Sequence, residues 1–439
     1  MGNNTVRILA QGQLVGNNTW DTNINNNDLI IGPSGAGKTR NYVKPNLLQY
    51  CLEGETSLII ADTKGSLSQE VGPVMATHGY KVINLDFTDL LNNQYGYNPL
   101  DYVRCDLERK KYFEQDIRTV SACLIPIELR HDPFWEQSAQ IYLSAFISYV
   151  LEALPEEEHS LEYVAKLYQL MENENFYKLF QELEEERPHS YAVQTYRMIA
   201  ASKGSEKTHA SVKMFLNKNL APLTFDGPVH LYRLKERIDF RALGREKTAI
   251  FLTISDTDRA MDKLVNTFYT QALHTLCVSA DKDYPDHRLP VPVRFMLDDF
   301  ATNVAIPDFD KIISVIRSRE ISVSLILQSI NQLYDLYGEN KGKTIINNCD
   351  NCLYLGGQDV DTAHFISVKA NRTPDNILNM PLDDAWLFTR GQKPKQVHKY
   401  DLCQHCLYPE LPEANGIPAS TPISEANVPL PLRVRCWTM

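Results

Sequence analysis

The chain has 439 residues, 43% of them apolar, and a net charge of −11, so it can bury a sizeable core over two or three domains and has no broadly basic surface for coating nucleic acid. No run reaches the roughly 18 consecutive apolar residues of a membrane-spanning helix, because the best, Ile141 to Leu154, is interrupted by Ser144, Ser148 and Glu152. Met1-Gly2-Asn3-Asn4 lacks the basic-then-apolar order of a secretory signal, and the nine cysteines read as reduced thiols of a cytoplasmic protein.

In chain order, the first element is the apolar strand Leu29-Ile30-Ile31. It runs into Gly32-Pro33-Ser34-Gly35-Ala36-Gly37-Lys38-Thr39, which satisfies G-x-x-x-x-G-K-[ST] in the strand-loop-helix context that a phosphate-binding loop requires. Gly32, Gly35 and Gly37 are expected to take φ > 0 and turn backbone N–H groups inward around a polyphosphate. Lys38 then reaches the β and γ phosphates and the Thr39 hydroxyl ligates Mg²⁺, so ATP is the expected ligand. The helix that follows meets Lys44-Pro45, where a kink or an early end is expected.

Further aliphatic runs read as strands: Leu58-Ile59-Ile60, Val82 to Leu85, Ala249 to Leu252, Phe295 to Leu297, Val323 to Leu327, Leu353 to Leu355 and Ala385 to Phe388. With helical segments between many of them, they predict an α/β fold built on a largely parallel sheet covered on both faces. Asp62-Thr63-Lys64-Gly65 follows one such strand, and Asp62 is read as a helix cap or a nucleotide contact. Strand signals vanish between about Arg104 and Asp239, where long helical patterns such as Ser138 to Leu154 and Leu161 to Leu183 predict an inserted all-α domain. Acidic runs there, Glu156-Glu157-Glu158 and Glu182 to Glu186, read as solvated helix faces. The expected division is a first nucleotide-binding part over 1–103, the insertion over 104–239, a second nucleotide-binding part over 240–408 and a Pro-rich, weakly ordered tail over 409–439.

Val293 to Leu297 ends in Asp298-Asp299, placing one carboxylate to support Mg²⁺ and a second to orient or deprotonate water. The next strand ends in Leu327-Gln328, whose amide can sense a γ phosphate. Eleven residues before Gln328, Arg317 is a candidate finger for a neighbouring subunit's nucleotide, with a surface ion pair to Asp308, Asp310 or Glu320 as the competing reading. Cys349/Cys352 and Cys403/Cys406, with His398 and His405 nearby, raise a zinc site, but the pairs lie about 50 residues apart and Cys352 opens an apolar strand, so buried or incidental thiols compete.

These residues together resemble the type IV coupling proteins, the TraG-like ATPases of conjugative DNA transfer. The resemblance spans about Leu29 to Asp401 and rests on "IIGPSGAGKTRNYVKPN", "IIADTKGSL", "YNPLDYV", "DPFW" at Asp132 to Trp135, "FMLDDFATNVAIPDFDKIISVIRSREISVSLILQS" and "IINNCDNCLYLGG". It implies a RecA-like P-loop NTPase core with an all-α insertion. It further implies a homo-hexameric motor that uses ATP and Mg²⁺ to deliver single-stranded DNA with bound relaxase to a secretion channel; for the chain in isolation a monomer is the alternative state. Carried over by position, Lys38 and Thr39 bind nucleotide, Asp298 the metal, Asp299 the attacking water, Gln328 senses the γ phosphate and Arg317 is the finger. Two departures stand out. Asp299 occupies a position where many members carry Glu, and the loop begins 31 residues after Met1 with no transmembrane anchor expected before it, so either a membrane or channel partner recruits the protein to the inner face of the membrane or the chain is a soluble branch. The rival reading is a slowly hydrolysing ATP-binding receptor whose acidic insertion docks protein substrates.

Overall fold

The computed structural model describes residues 5–415, apart from Glu55, 128–132, Asn173, 202–205, Asp256 and 299–304. Thirteen strands are present among the described residues. They are β1 (Val6–Ala10), β2 (Gln13–Gly16), β3 (Asp28–Ile31), β4 (Ser57–Asp62), β5 (Lys81–Asp86), β6 (Cys105–Asp106), β7 (Lys111–Tyr112), β8 (Thr248–Thr253), β9 (Val293–Leu297), β10 (Ile321–Leu327), β11 (Asn351–Tyr354), β12 (Asp384–Thr389) and β13 (Lys395–His398). Nine of them form one sheet in the order β13-β12-β11-β3-β10-β9-β4-β8-β5. Every pairing from β11 to β5 is parallel, and β12 and β13 close one edge antiparallel.

All eight strands expected from apolar runs are present. Their near-continuous aliphatic character has a simple cause: β3, β4, β9 and β11 are buried at every residue, as strands covered on both faces must be. Successive side chains alternate between two apolar layers, with Leu29 and Ile31 in one and Ile30, Leu58 and Ile60 in the other. The smaller layer is covered by the helices Lys44–Glu53 and Ser66–Thr77, by Leu9 of β1, and by Leu402, Leu407 and Leu411. The larger layer receives the Asp262–Asp283 helix and the helical region before β8. Among the described residues no helix is long and apolar enough to cross a membrane.

Three features differ from expectation. The region expected to be purely helical begins with the two-stranded antiparallel ladder of β6 and β7. The pattern from Leu161 to Leu183 is split into Leu161–Gln169 and Glu174–Glu186 by a 3-10 turn at Leu170–Glu172. The segment from 409 onward does not start as a loose tail: 3-10 turns at Tyr408–Glu410 and Pro412–Asn415 lie against the core, and Leu411 is fully buried.

Beneath the loop-bearing strand lies a buried charge network. Asp28, at the start of β3, accepts from Arg7 Nε at 2.8 Å and Nη2 at 3.2 Å, Tyr42 Oη at 2.9 Å, Arg294 Nη1 at 3.1 Å and Asn351 Nδ2 at 2.9 Å. Arg294 Nη1 also donates to Ser324 Oγ at 2.8 Å. Burial, the largest single influence, pushes the Asp28 pKa up, but the charges of Arg7 and Arg294 with the hydrogen bonds from Arg7 and Tyr42 outweigh it and hold the carboxyl below its ordinary value.

Removing the carboxylate leaves two buried guanidinium groups short of charge, so Asp28→Asn is expected to cost about 3–5 kcal/mol, whereas Asp281→Asn, at the part-exposed pair with Arg319, costs about 1 kcal/mol or less. Urea denaturation of both variants checks the contrast. Because the folded pKa of Asp28 is depressed, its contribution is complete above the unfolded carboxyl value and disappears as pH falls through the folded one. A stability profile measured downward from neutral pH should therefore be steeper for the native chain than for Asp28→Asn at the acidic end.

Candidate active site

The carboxyl ends of β3, β10, β9 and β4 are neighbours, which is where a parallel sheet presents ligand sites. The loop after β3 carries the phosphate-binding motif. Gly35 and Gly37 have φ of +79° and +91°, the left-handed conformation that the sequence predicts for them. Gly32 does not share it. Its N–H donates to Leu327 O at 3.0 Å, and a Cβ there would lie 2.9 Å from Ala36 Cβ and 3.0 Å from Leu355 Cβ. Glycine is needed at this position for close approach, which corrects the expectation of positive φ.

The loop is held from several sides. Ala36 N–H donates to Pro33 O at 3.1 Å, Lys399 Nζ to Ala36 O at 3.0 Å, and Lys38 Nζ to Gly32 O at 2.9 Å. After Lys38 the chain makes a π-helical turn over Thr39–Val43, in which Lys44 N–H bonds to Thr39 O, and then becomes an α-helix with Pro45 in its first turn. The expected break at Lys44-Pro45 is thus a widened turn that carries the helix past a residue with no N–H to donate.

Across the cavity, the Thr39 hydroxyl donates to Asp298 Oδ2 at 3.5 Å. Asp298 follows β9 and Gln328 follows β10, and both side chains line a cavity of about 480 Å³ together with Lys38, Thr39 and Asp62. A hydroxyl and a carboxylate that converge beside an ammonium and a cradle of inward-turned amides form a donor set suited to a polyphosphate and a hard divalent cation. A larger cavity of about 920 Å³, lined by His274, Tyr191 and Arg118 among others, lies away from this loop and has no such cradle. The donor chemistry, not size, marks this cavity as the candidate site.

Asp62 is a helix cap. Its Oδ2 accepts from Ser68 N at 3.1 Å and its Oδ1 from Lys64 N at 3.4 Å, while burial pushes its pKa up. Asp299 lies outside the described residues, as does Asp132 of the Asp132 to Trp135 motif; Phe134 and Trp135 open the Phe134–Ala153 helix, where Phe134 is exposed and meets Trp135 edge to face. Arg317 is nowhere near the loop of its own chain. It sits in the 3-10 turn Ile316–Arg319 before β10, at the opposite end of a seven-residue strand from Gln328, about 20 Å away at the usual rise per residue. Its Nη2 donates to Thr19 O at 3.2 Å. The acids that could have neutralised it are paired elsewhere: Asp308 with Lys311, Asp310 with Lys341 and Glu320 with Arg288.

Cys349 and Cys352 are buried, and Cys403 and Cys406 are exposed. Among the described residues no group of three or more His, Cys, Asp or Glu side chains is arranged to hold a metal. Sequence reasoning missed Arg40, Lys44, Glu70 and Lys399. Arg40 could have been noticed as the residue after the motif, but Lys399 approaches the loop across a sequence separation of 363 residues and leaves no local signal.

Residues 4–371 match the family described as type IV secretory system conjugative DNA transfer. A comparison with curated proteins finds no significant match. Among solved structures, the bacterial conjugative coupling protein TrwBΔN70 in complex with sulphate is similar with a TM-score of 0.65 at 16% identity, covering 85% of each chain. The plasmid coupling protein TrwB in complex with the non-hydrolysable ATP analogue ADPNP gives 0.64 at 17% identity, over 86% of this chain and 85% of that one. VirB4 of Thermoanaerobacter pseudethanolicus gives 0.55 at 15% identity, over 91% and 97% respectively. At such identities the likeness speaks for the fold, and the α/β, RecA-like P-loop architecture with a largely parallel sheet and an inserted all-α region is the one expected from sequence. With the family match running across most of the chain, this protein belongs to the type IV secretory system conjugative DNA transfer family.

Proposed function

We propose that the chain is an ATP-hydrolysing coupling protein that assembles as a homo-hexameric motor and delivers relaxase-bound single-stranded DNA to a type IV secretion channel, recruited to the inner face of the membrane by a partner. One observation carries the ATPase reading: the glycine loop, Asp298 and Gln328 stand on adjacent parallel strands and face one cavity. ATP supplies the phosphoanhydride, and Mg²⁺ the neutralising charge. Within this reading Lys38 and the loop amides bind the phosphates, Thr39 and Asp298 hold the cation, Gln328 senses the γ phosphate and Asp299 orients water. The proposed division of the chain follows the same logic, with nucleotide-binding parts over 1–103 and 240–408 flanking the insertion over 104–239.

The ring is supported by Arg317. A guanidinium with no carboxylate partner among the described residues, placed at the far end of the sheet from its own loop, suits the neighbouring subunit's site and not its own. An acidic chain binds DNA poorly over its whole surface, but six copies can gather basic loops around one axis and make a local positive funnel.

Lys38→Ala is expected to lose on the order of 10²–10³ in turnover while its thermal unfolding stays close to that of the native chain; normal turnover in the folded variant would remove Lys38 from the site. Mixing Lys38→Ala with Arg317→Ala subunits should recover part of the activity, because some interfaces then join an intact loop to an intact finger. Verified mixed oligomers that remain inactive would return Arg317 to a surface role. Single-stranded DNA should raise turnover and the hexamer population together, both falling steeply with salt as counterion release is suppressed. Sedimentation and turnover across a salt series test this, and a monomer with DNA-independent turnover at low salt would favour the receptor reading.

A further inference from the structure

Arg40 directly follows the glycine loop, and a C-terminal segment holds its side chain. Nη1 donates to Glu413 Oε2 at 2.8 Å, and Nη2 to Cys403 Sγ at 3.5 Å. Four residues on, Lys44 pairs with Glu70 and lies 3.3 Å from Glu413 Oε1. Arg40, Lys44 and Glu70 line the same cavity as Lys38, Thr39 and Asp298. One carboxylate, Glu413, therefore bridges two cations beside the phosphate loop, presented by a segment that buries Leu407 and Leu411 against the core.

The strengths of these contacts differ in a useful way. Arg40 and Glu413 keep 49% and 27% of their side-chain exposure, so their pair is a weak, solvent-screened one at the cavity mouth. A triphosphate brings several negative charges and forked acceptors that match a guanidinium better than a single carboxylate does. Lys44, by contrast, is nearly buried and retains Glu70 if Glu413 leaves.

Resting on the nucleotide reading above, we propose that Arg40 is a phosphate-binding residue outside the glycine loop, that Glu413 competes with the nucleotide for it, and that nucleotide binding consequently loosens the Cys403–Glu413 segment from the helix after the loop. The coupling is reciprocal: whatever draws Glu413 away tightens nucleotide binding by the same factor. The Cys403–Glu413 segment, with Cys403 exposed, thus responds to the nucleotide state.

The test uses the full chain, a fluorescent ATP analogue and mass-spectrometric mapping of thiol alkylation. Glu413→Gln should tighten nucleotide binding by about two- to fivefold, the range open to an exposed pair, and the gain should shrink in an Arg40→Ala background. In the native chain, which needs no substitution, Mg·ATP should raise the alkylation rate of Cys403. An unchanged affinity in folded Glu413→Gln, or a Cys403 rate indifferent to ATP, overturns the proposal while leaving nucleotide binding itself intact. A native chain that binds no nucleotide takes both readings down.

Discussion

The buried carboxylate of Asp28 is the constraint on which the placing of the glycine loop depends. Its acceptor positions are filled by side chains from β1, β9, β11 and the turn after the phosphate loop. Each would be costly to bury alone, and together they fix where β3 starts and how its neighbours lie against it. Tyr42 is the link that matters for function. It leaves the π-helical turn that begins at Thr39 and reaches back to Asp28, so the strand before the loop and the helix after it are tied to one group.

From that anchor the geometry of the site follows. Parallel strands bring their carboxyl ends to one side, and β3, β10 and β9 set the loop, Gln328 and Asp298 around one cavity. The same rule puts Arg317, which precedes β10, at the other end. A single sheet thereby places the phosphate loop, Asp298 and Gln328 at one end and Arg317, which has no carboxylate partner among the described residues, at the other.

The chain spends unusual effort on the surroundings of the loop. Lys399 holds Ala36, Asn41 donates to Tyr400 O, and Glu413 holds Arg40 and Lys44. All three partners come from residues 399–413, so groups distant in sequence complete the surroundings of the loop. Such contacts are modest one by one and solvent-screened at the mouth, in contrast to the buried network around Asp28.

The sequence by itself determined the elements whose signal is local. Leu29 to Thr39 is legible because a strand, a glycine loop and a helix must be contiguous to cradle phosphate, and the aliphatic runs of β4, β8, β9 and β11 are legible because strands covered on both faces are largely apolar throughout, whereas the edge strand β5 shows itself by Ile83 and Leu85 buried on either side of exposed Asn84. The hairpin β1 and β2 and the exposed edge strand β13 carried weaker signals, since part of each faces water and their runs are short. Only the tertiary structure decided that Gly32 is a matter of contact with Ala36 and Leu355 and not of positive φ. It alone also decided that Asp62 bonds into the first turn of the helix that follows, that Arg317 has no carboxylate partner among the described residues, and that Glu413 reaches Arg40 across a separation of 373 residues. The physical reason is common to all four: each depends on which distant groups share the space, and a one-dimensional pattern records periodicity and local backbone demands but not the partners that folding brings into reach.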